Sequence, residues 1–319
     1  MRLYVYPTDH DWFKFLKGQP GIDEVNFWQP GGSRRFTRLE PGDLFLFRLK
    51  GRINRIAGGG VFLHSSLLPV DLAWLAFREK NGVPTLRELQ EKIASYKGLD
   101  GPDALTPADQ IGCIILGSPF FLDESVWLPV PSDYSPNLVQ GKLYDAAVGE
   151  GRLLLDAVTA ALSGSRAASV LREKAKLPYG QEDRSRPMWS EPLLARRRLG
   201  QGAFRVIVTD AYERRCAVTG EHTLPVLEAA HIRPVTRDGQ HRVDNGILFR
   251  SDIHKLFDQG YVTVTPDFQF AVSPRLSRDW QNGRVYYELQ GTAIRRPPDE
   301  RDWPTRDLLE WHAKTVFLR

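Results

Sequence analysis

LEAAHIRPVTRDGQHRVDNGILFRSDIHKLFD, residues 227–258, is the stretch on which the reading of this chain turns. Its first part, with the residues just before it, reads PVLEAAHIRP, an apolar, strand-like run in which His231 is the only ionisable ring. Pro234 and a glycine-bearing loop, TRDGQH, follow. NGILF reads as a second strand. SDIHKLFDQG opens on Ser251 or Asp252 as an N-cap and stops at Gly260, so the pattern predicts a short helix over roughly 252–259. The order is strand, loop, strand, helix. On that helix His254 and Asp258 are four apart and share a face, a spacing that lets two side chains reach one cation.

Such a set suits phosphodiester hydrolysis, which needs a base to deprotonate water and a cation to offset the charge that builds on phosphorus and the leaving oxygen. An unliganded imidazole such as His231 suits the base, and a histidine fixed on a helix, His254, suits the metal. Each residue alone also has an ordinary reading. A lone histidine in a strand is commonly a satisfied core or surface residue, Asn245-Gly246 is a common turn dipeptide, and Asp258 is able to cap or pair locally. The combination, in order and in helix register, is what carries the reading. His222 and His241 fall in loops and read as bystanders, with a phosphate contact as the alternative.

Strand-borne AAHI, then DNG about fourteen residues on, then SDIHKLFD resemble the HNH nucleases, and the preceding YERRCAVTG and LEAAHI are similar to their restriction-type branch. The resemblance covers roughly residues 200–319 and implies a ββα-metal fold. It also implies His231 as general base, Asn245 as the residue that braces the loop and orients the base, and His254 as metal ligand. Many members carry Asp or His just before the base; here that position is Ala230, and the extra carboxylate becomes Asp258, with Glu228 as the alternative. A divalent metal, Mg²⁺ or Mn²⁺, is implied. Thr219 stands where a CxxC knuckle starting at Cys216 would place its second cysteine, so no structural zinc is expected.

The 319 residues suggest two domains. With 42% hydrophobic and 26% charged residues, no long apolar run and no leader-like start at MRLYVYPTDHDW, the expectation is a cytoplasmic protein without a membrane segment. Two cysteines, Cys113 and Cys216, exclude a disulfide framework. The net charge of +4 is uneven: residues 1–150 hold 16 Lys/Arg against 18 Asp/Glu, whereas 165–215 hold 12 against 6. The triple arginine Arg196, Arg197 and Arg198 marks the densest point. Such an excess suits a phosphate backbone, although a solvated helix face carries similar runs.

Short apolar runs broken by turns fill the first 135 residues: RLYVYP, GDLFLFRL, AGGGVFLHSS, QIGCIILGSPFFL, SVWLPVP. VDLAWLAFREKNG and PTLRELQEKIASYKG instead show helical periodicity ending at glycine. The expected class is α+β, with an N-terminal curved β-barrel carrying helices (1–160), a basic helical linker (161–199) and the ββα domain (200–319). The order of YVYPTDHDWFKFL, VNFWQPGGSRRFTRLEPGDLFLFRLKG and RIAGGGVFL resembles the EVE domains of the PUA-like group. That resemblance implies a pocket for one base, such as modified cytosine flipped from a duplex, with stacking and edge hydrogen bonds offsetting the flipping cost. Trp28, Phe27 and Tyr6 are the expected walls, Ser33 and Asp9 the polar readers, and Arg34, Arg35 and Arg55 the phosphate contacts. Together the two resemblances imply a homodimeric restriction endonuclease for double-stranded DNA bearing 5-methyl- or 5-hydroxymethylcytosine. The alternatives are an HNH nuclease for another DNA or RNA feature, such as phosphorothioate, and a non-catalytic reader.

Overall fold

The structure is a computed structural model that describes residues 1–135, 138, 140–162 and 199–319. Most of the linker expected at 161–199, with Arg196, Arg197 and Arg198, lies outside the described residues. The chain divides into two compact units, Met1–Arg197 and Arg198–Arg319. Both mix helices and strands.

Unit 1 is built on a seven-stranded sheet of β1 (Arg2–Thr8), β2 (Glu24–Gln29), β3 (Leu44–Leu49), β4 (Arg55–Pro69), β5 (Gln110–Phe121), β6 (Leu128–Pro129) and β7 (Lys142–Asp145). The hydrogen-bonded path runs β2-β5-β4-β3-β1-β7, with β6 paired to β4. The curved β-barrel expected for this unit is not closed among the described residues. Among the described residues no ladder joins β2 to β7, so the path keeps two ends. Its strands pair antiparallel except β1 with β3, which run parallel.

Both faces of the sheet are buried. Leu3, Val5, Leu44 and Leu46 point to one side, against Leu154, Leu155 and Val158 of helix α4 (Gly149–Ala161); Tyr4, Phe45 and Phe47 point to the other, against Trp12, Phe13 and Phe27. This double burial explains why LFLFRL shows no polar alternation. The long β4 shifts register between Gly59 and Val61 and between Phe62 and His64. Gly58 and Gly59 let its backbone approach its neighbours: a Cβ at either position would lie 2.3 Å from the Phe120 carbonyl oxygen or 2.5 Å from that of Phe45.

Helix α1 (His10–Lys17) follows β1 directly, capped by Asp9, whose Oδ1 accepts from the backbone N–H groups of Asp11 and Trp12. After β4 come α2 (Val70–Phe77) and α3 (Leu86–Lys97); Thr85 caps the latter and Gly98, in the left-handed conformation, ends it.

Unit 2 starts with α5 (Gln201–Ala211). The antiparallel pair β8 (Leu227–His231) and β9 (Gly246–Arg250) follows, then α6 (Ser251–Asp258), the hairpin β10 (Val262–Val264) and β11 (Phe270–Val272), and α7 (Arg275–Trp280), α8 (Arg284–Tyr287) and α9 (Arg306–Thr315). Arg250, rather than the expected Ser251 or Asp252, occupies the N-cap of α6 and makes no side-chain cap; Asp252, inside the first turn, pairs with Arg250 at 2.7 Å and accepts from Tyr286 Oη. Its apolar side, Ile253 and Phe257, is fully buried. Phe257 stacks on the His312 ring of α9 at 3.7 Å, and His312 itself bonds Thr263 of β10 and the Phe257 carbonyl.

Candidate active site

In unit 2 the β8–β9 pair sets the register His231 opposite Gly246 and Ala230 opposite Ile247. His231 therefore ends its strand at the mouth of the connecting loop, and α6 leaves directly from the partner strand. The ring of His231 stacks on Phe204 of α5, centroids 3.9 Å apart and planes within 10°. Gly246 permits this, since a Cβ there would meet Val208 at 2.6 Å and Phe204 at 3.0 Å. On its edge, His231 Nε2 lies 2.9 Å from Nδ1 of His241. Burial, with His241 and His254 nearby, lowers the His231 pKa to about 4, so the ring is neutral at neutral pH. An anionic phosphate beside it would raise that value again.

Asn245 is 2% exposed and uses its whole amide to hold the loop. Oδ1 accepts from the Arg233 backbone N–H at 2.9 Å, and Nδ2 donates to the carbonyls of Arg233 at 2.9 Å and Gln240 at 2.8 Å. The loop is pinned at its exit from β8 and again beside His241. Gly239 completes the turn: its backbone passes so close to Arg233 that a Cβ would fall 1.8 Å from that carbonyl oxygen.

His254, on α6, stands between two carboxylates. Glu228 Oε2 lies 2.6 Å from Nδ1, and Asp258 Oδ2 lies 3.3 Å from Nε2. Burial raises the Asp258 pKa, with Glu228 adding to the rise and His254 opposing it. The two carboxylates meet opposite nitrogens of the ring and so do not face one point; among the described residues no group of three or more His, Cys, Asp or Glu forms a metal cluster. The donors still fit a hard divalent cation. An Nδ1–H donated to Glu228 leaves the Nε2 lone pair on the Asp258 side, the arrangement in which a carboxylate orients a ligating imidazole. An ion that keeps most of its waters needs only one or two protein carboxylates. His254 and Asp258 would hold it, and Glu228 would orient His254. Ala230, fully buried against β9, lies in the core rather than facing solvent.

The structure also brings His241 beside His231 and Glu228 beside His254. His241 carries no signal except its place in the loop, ten residues after His231. Glu228 sits in the strand three residues before His231, where periodicity says nothing of a helix that follows much later. His222 is exposed, and its backbone N–H donates to the Glu221 side chain. Cys216 is buried and accepts from the Arg250 backbone N–H.

In unit 1 an open cleft is lined by Tyr6, Phe27, Trp28 and Tyr96, with Asp9, Gln29, Lys50 and Lys92 as polar neighbours. Gln29 Nε2 donates to the Tyr6 hydroxyl at 3.0 Å, and Trp28 Nε1–H donates to the Asn81 carbonyl at 2.9 Å. Tyr96 of α3 meets Trp28 edge-on at 6.0 Å while remaining 57% exposed. Asp9 reaches the cleft with one carboxylate oxygen already engaged in capping α1. Ser33 is exposed and outside the lining, and Arg34, Arg35 and Arg55 are exposed. Tyr96 and Lys92 were the missed residues here; their one signal is a tyrosine left on the polar face of an amphipathic helix.

Residues 216–265 match the family model described as HNH endonuclease, HNH_2, and form an HNH endonuclease domain. No curated protein matches the chain. Among solved structures the chain is similar to a tyrosine-to-phenylalanine mutant of the ZmASCH protein from Zymomonas mobilis, at 10% identity and a TM-score of 0.31, covering 48% of this chain and 96% of that one. It is also similar to the modification dependent TagI restriction endonuclease, at 14% identity and a TM-score of 0.29, covering 93% of this chain and 77% of that one. At these scores neither neighbour defines the fold or the activity of this chain. No helix among the described residues is long and apolar enough to cross a membrane.

Proposed function

We propose that the protein is a modification-dependent restriction endonuclease: unit 1 reads a modified cytosine in double-stranded DNA, and the HNH domain hydrolyses the phosphodiester. One observation carries the reading. Within the HNH segment a neutral imidazole, His231, and a carboxylate-flanked imidazole, His254, sit on adjoining elements of one ββα unit.

His231 takes the proton of the attacking water, and its stack on Phe204 holds the ring in one plane. Asn245 keeps the loop beside that ring closed. A divalent cation, Mg²⁺ or Mn²⁺, bound at His254 and Asp258 would neutralise charge on the phosphorane and the leaving 3′ oxygen. The products are 5′-phosphate and 3′-hydroxyl ends. One such site cuts one strand, so a double-strand break calls for two protomers. The cleft of Tyr6, Phe27, Trp28 and Tyr96 supports base reading, because stacking on rings offsets the cost of extruding a base.

The test is digestion of matched plasmids, unmodified, methylated and hydroxymethylated at cytosine, with Mg²⁺ or Mn²⁺ and with EDTA. Cutting confined to modified DNA and lost in EDTA is expected. Equal cutting of all three removes modification dependence, and cutting of none leaves a binder. His231→Ala is expected to lower kcat by on the order of 10²- to 10⁴-fold; full activity would remove the base assignment.

A further inference from the structure

We infer that His241 is the positioning residue of the general base: its Nδ1 accepts a hydrogen bond from Nε2–H of His231 and so leaves His231 Nδ1 as the lone pair that receives the proton of water. The inference rests on the nuclease reading above.

The work of a base, set in this geometry, selects the tautomer. His231 Nε2 and His241 Nδ1 are 2.9 Å apart, so one proton lies between them. If His241 donated, His231 would carry its own proton on Nδ1. It would then have no lone pair outside the pair of rings and would be useless as a base. Among the described residues His231 Nδ1 makes no hydrogen bond, which is what a nitrogen kept for water requires. With Nε2–H donated to His241, the ring can neither flip nor shift its proton without losing a bond. The cation formed after proton uptake keeps a strong acceptor on its far side.

The surroundings fix the acceptor in turn. His241 follows Gln240, whose carbonyl is held by Asn245 Nδ2, and Gly239 brings the same loop against Arg233. Phe204 touches both rings, with centroids 3.9 Å from His231 and 5.6 Å from His241, so their mutual angle is set by packing. Thus Asn245 acts on the base through the loop that carries His241, not by bonding the base itself.

Two variants separate this role from a structural one. His241→Phe keeps a ring of similar size and removes the acceptor; His241→Asn offers a carbonyl oxygen close to where Nδ1 stood. On whichever plasmid of the set above the wild type cuts, His241→Phe is expected to lower kcat by roughly 10- to 100-fold, a part of what a positioned base contributes. KM for DNA is expected to stay within about twofold, and His241→Asn to recover most of the loss. Nitrogen-15 spectra of the wild-type imidazoles report the same point without activity: His231 protonated on Nε2 and bare on Nδ1. An Nδ1–H tautomer of His231, a His241→Phe variant with wild-type kcat beside an inactive His231→Ala, or His241→Asn as impaired as His241→Phe overturns the inference alone. A wild type that cuts nothing, or a fully active His231→Ala, overturns the nuclease reading and this inference with it.

Discussion

In unit 1 part of the cleft wall is also part of the core, whereas in unit 2 the histidines stand on a shell of polar contacts. Phe27 is 7% exposed, meets Trp12, Phe45 and Tyr6 at ring distances of 5.1, 4.8 and 5.3 Å, and still forms part of the cleft wall. His231, by contrast, is placed by one stack, one hydrogen bond and a loop that Asn245 ties shut. A cleft walled by core residues is rigid and hard to alter without unfolding; a histidine placed by a braced loop is adjustable one contact at a time.

The largest effect that would break this contrast lies in unit 1. Phe27→Ala should cost about 3–5 kcal/mol of stability by the removal of a fully packed ring. Denaturant unfolding of the full chain measures it, and a loss under about 1 kcal/mol would mean that the cleft wall is separable from the core. Next comes the acid response of unit 2. His312, 2% exposed, has its pKa lowered to about 4 by burial, below the ordinary 6.5. The folded state therefore binds fewer protons than the unfolded one, and stability that is complete above about pH 6.5 is lost as pH falls towards 4, on the order of 3 kcal/mol for this group. His231, shifted the same way, adds a slope of the same sign. His312→Phe should flatten the stability–pH curve in that window, leaving the slope of His231; an unchanged curve would show that His312 titrates normally.

Asn245→Ala should cost roughly 2–3 kcal/mol, because three hydrogen bonds go and the Arg233 N–H loses its side-chain acceptor. Thermal unfolding checks this, and a cost below about 0.5 kcal/mol would show the loop to be held by other means. The smallest effect sharpens the contrast from the other side. Tyr96 lines the cleft yet is mostly exposed, so Tyr96→Ala should leave stability within about 0.5 kcal/mol and weaken binding to a modified duplex by roughly 1 kcal/mol, about fivefold in Kd. Fluorescence anisotropy reads the affinity, and an unchanged value would take Tyr96 out of recognition.

The strand, loop, strand, helix order of unit 2 was readable because each step is local: an apolar run, a Pro and Gly loop, an Asn-Gly start and an amphipathic turn of helix. The partner of each histidine was not. His241 reaches His231 only after the loop folds back on Arg233, and Glu228 reaches His254 across the β8–β9 pair. In unit 1 the lack of closure is not legible in the sequence, because strands buried on both faces carry no alternation and the parallel pairing of Leu3 with Leu44 leaves no local trace. Helix α1 is written locally, with Asp9 as its cap and Trp12, Phe13 and Leu16 as its apolar face. Tyr96 and Lys92 join Trp28 from a helix nearly seventy residues away, and no local pattern announces such a meeting.

Gly239 bears no functional group, yet the close approach that its hydrogen permits shapes the candidate site as much as any imidazole does. The space it leaves is what allows the Arg233 carbonyl to stay where Asn245 reaches it, and through that loop His241 to stay where His231 does. A single methyl group there would act as a wedge, and its push would travel along the loop to the ring of His231.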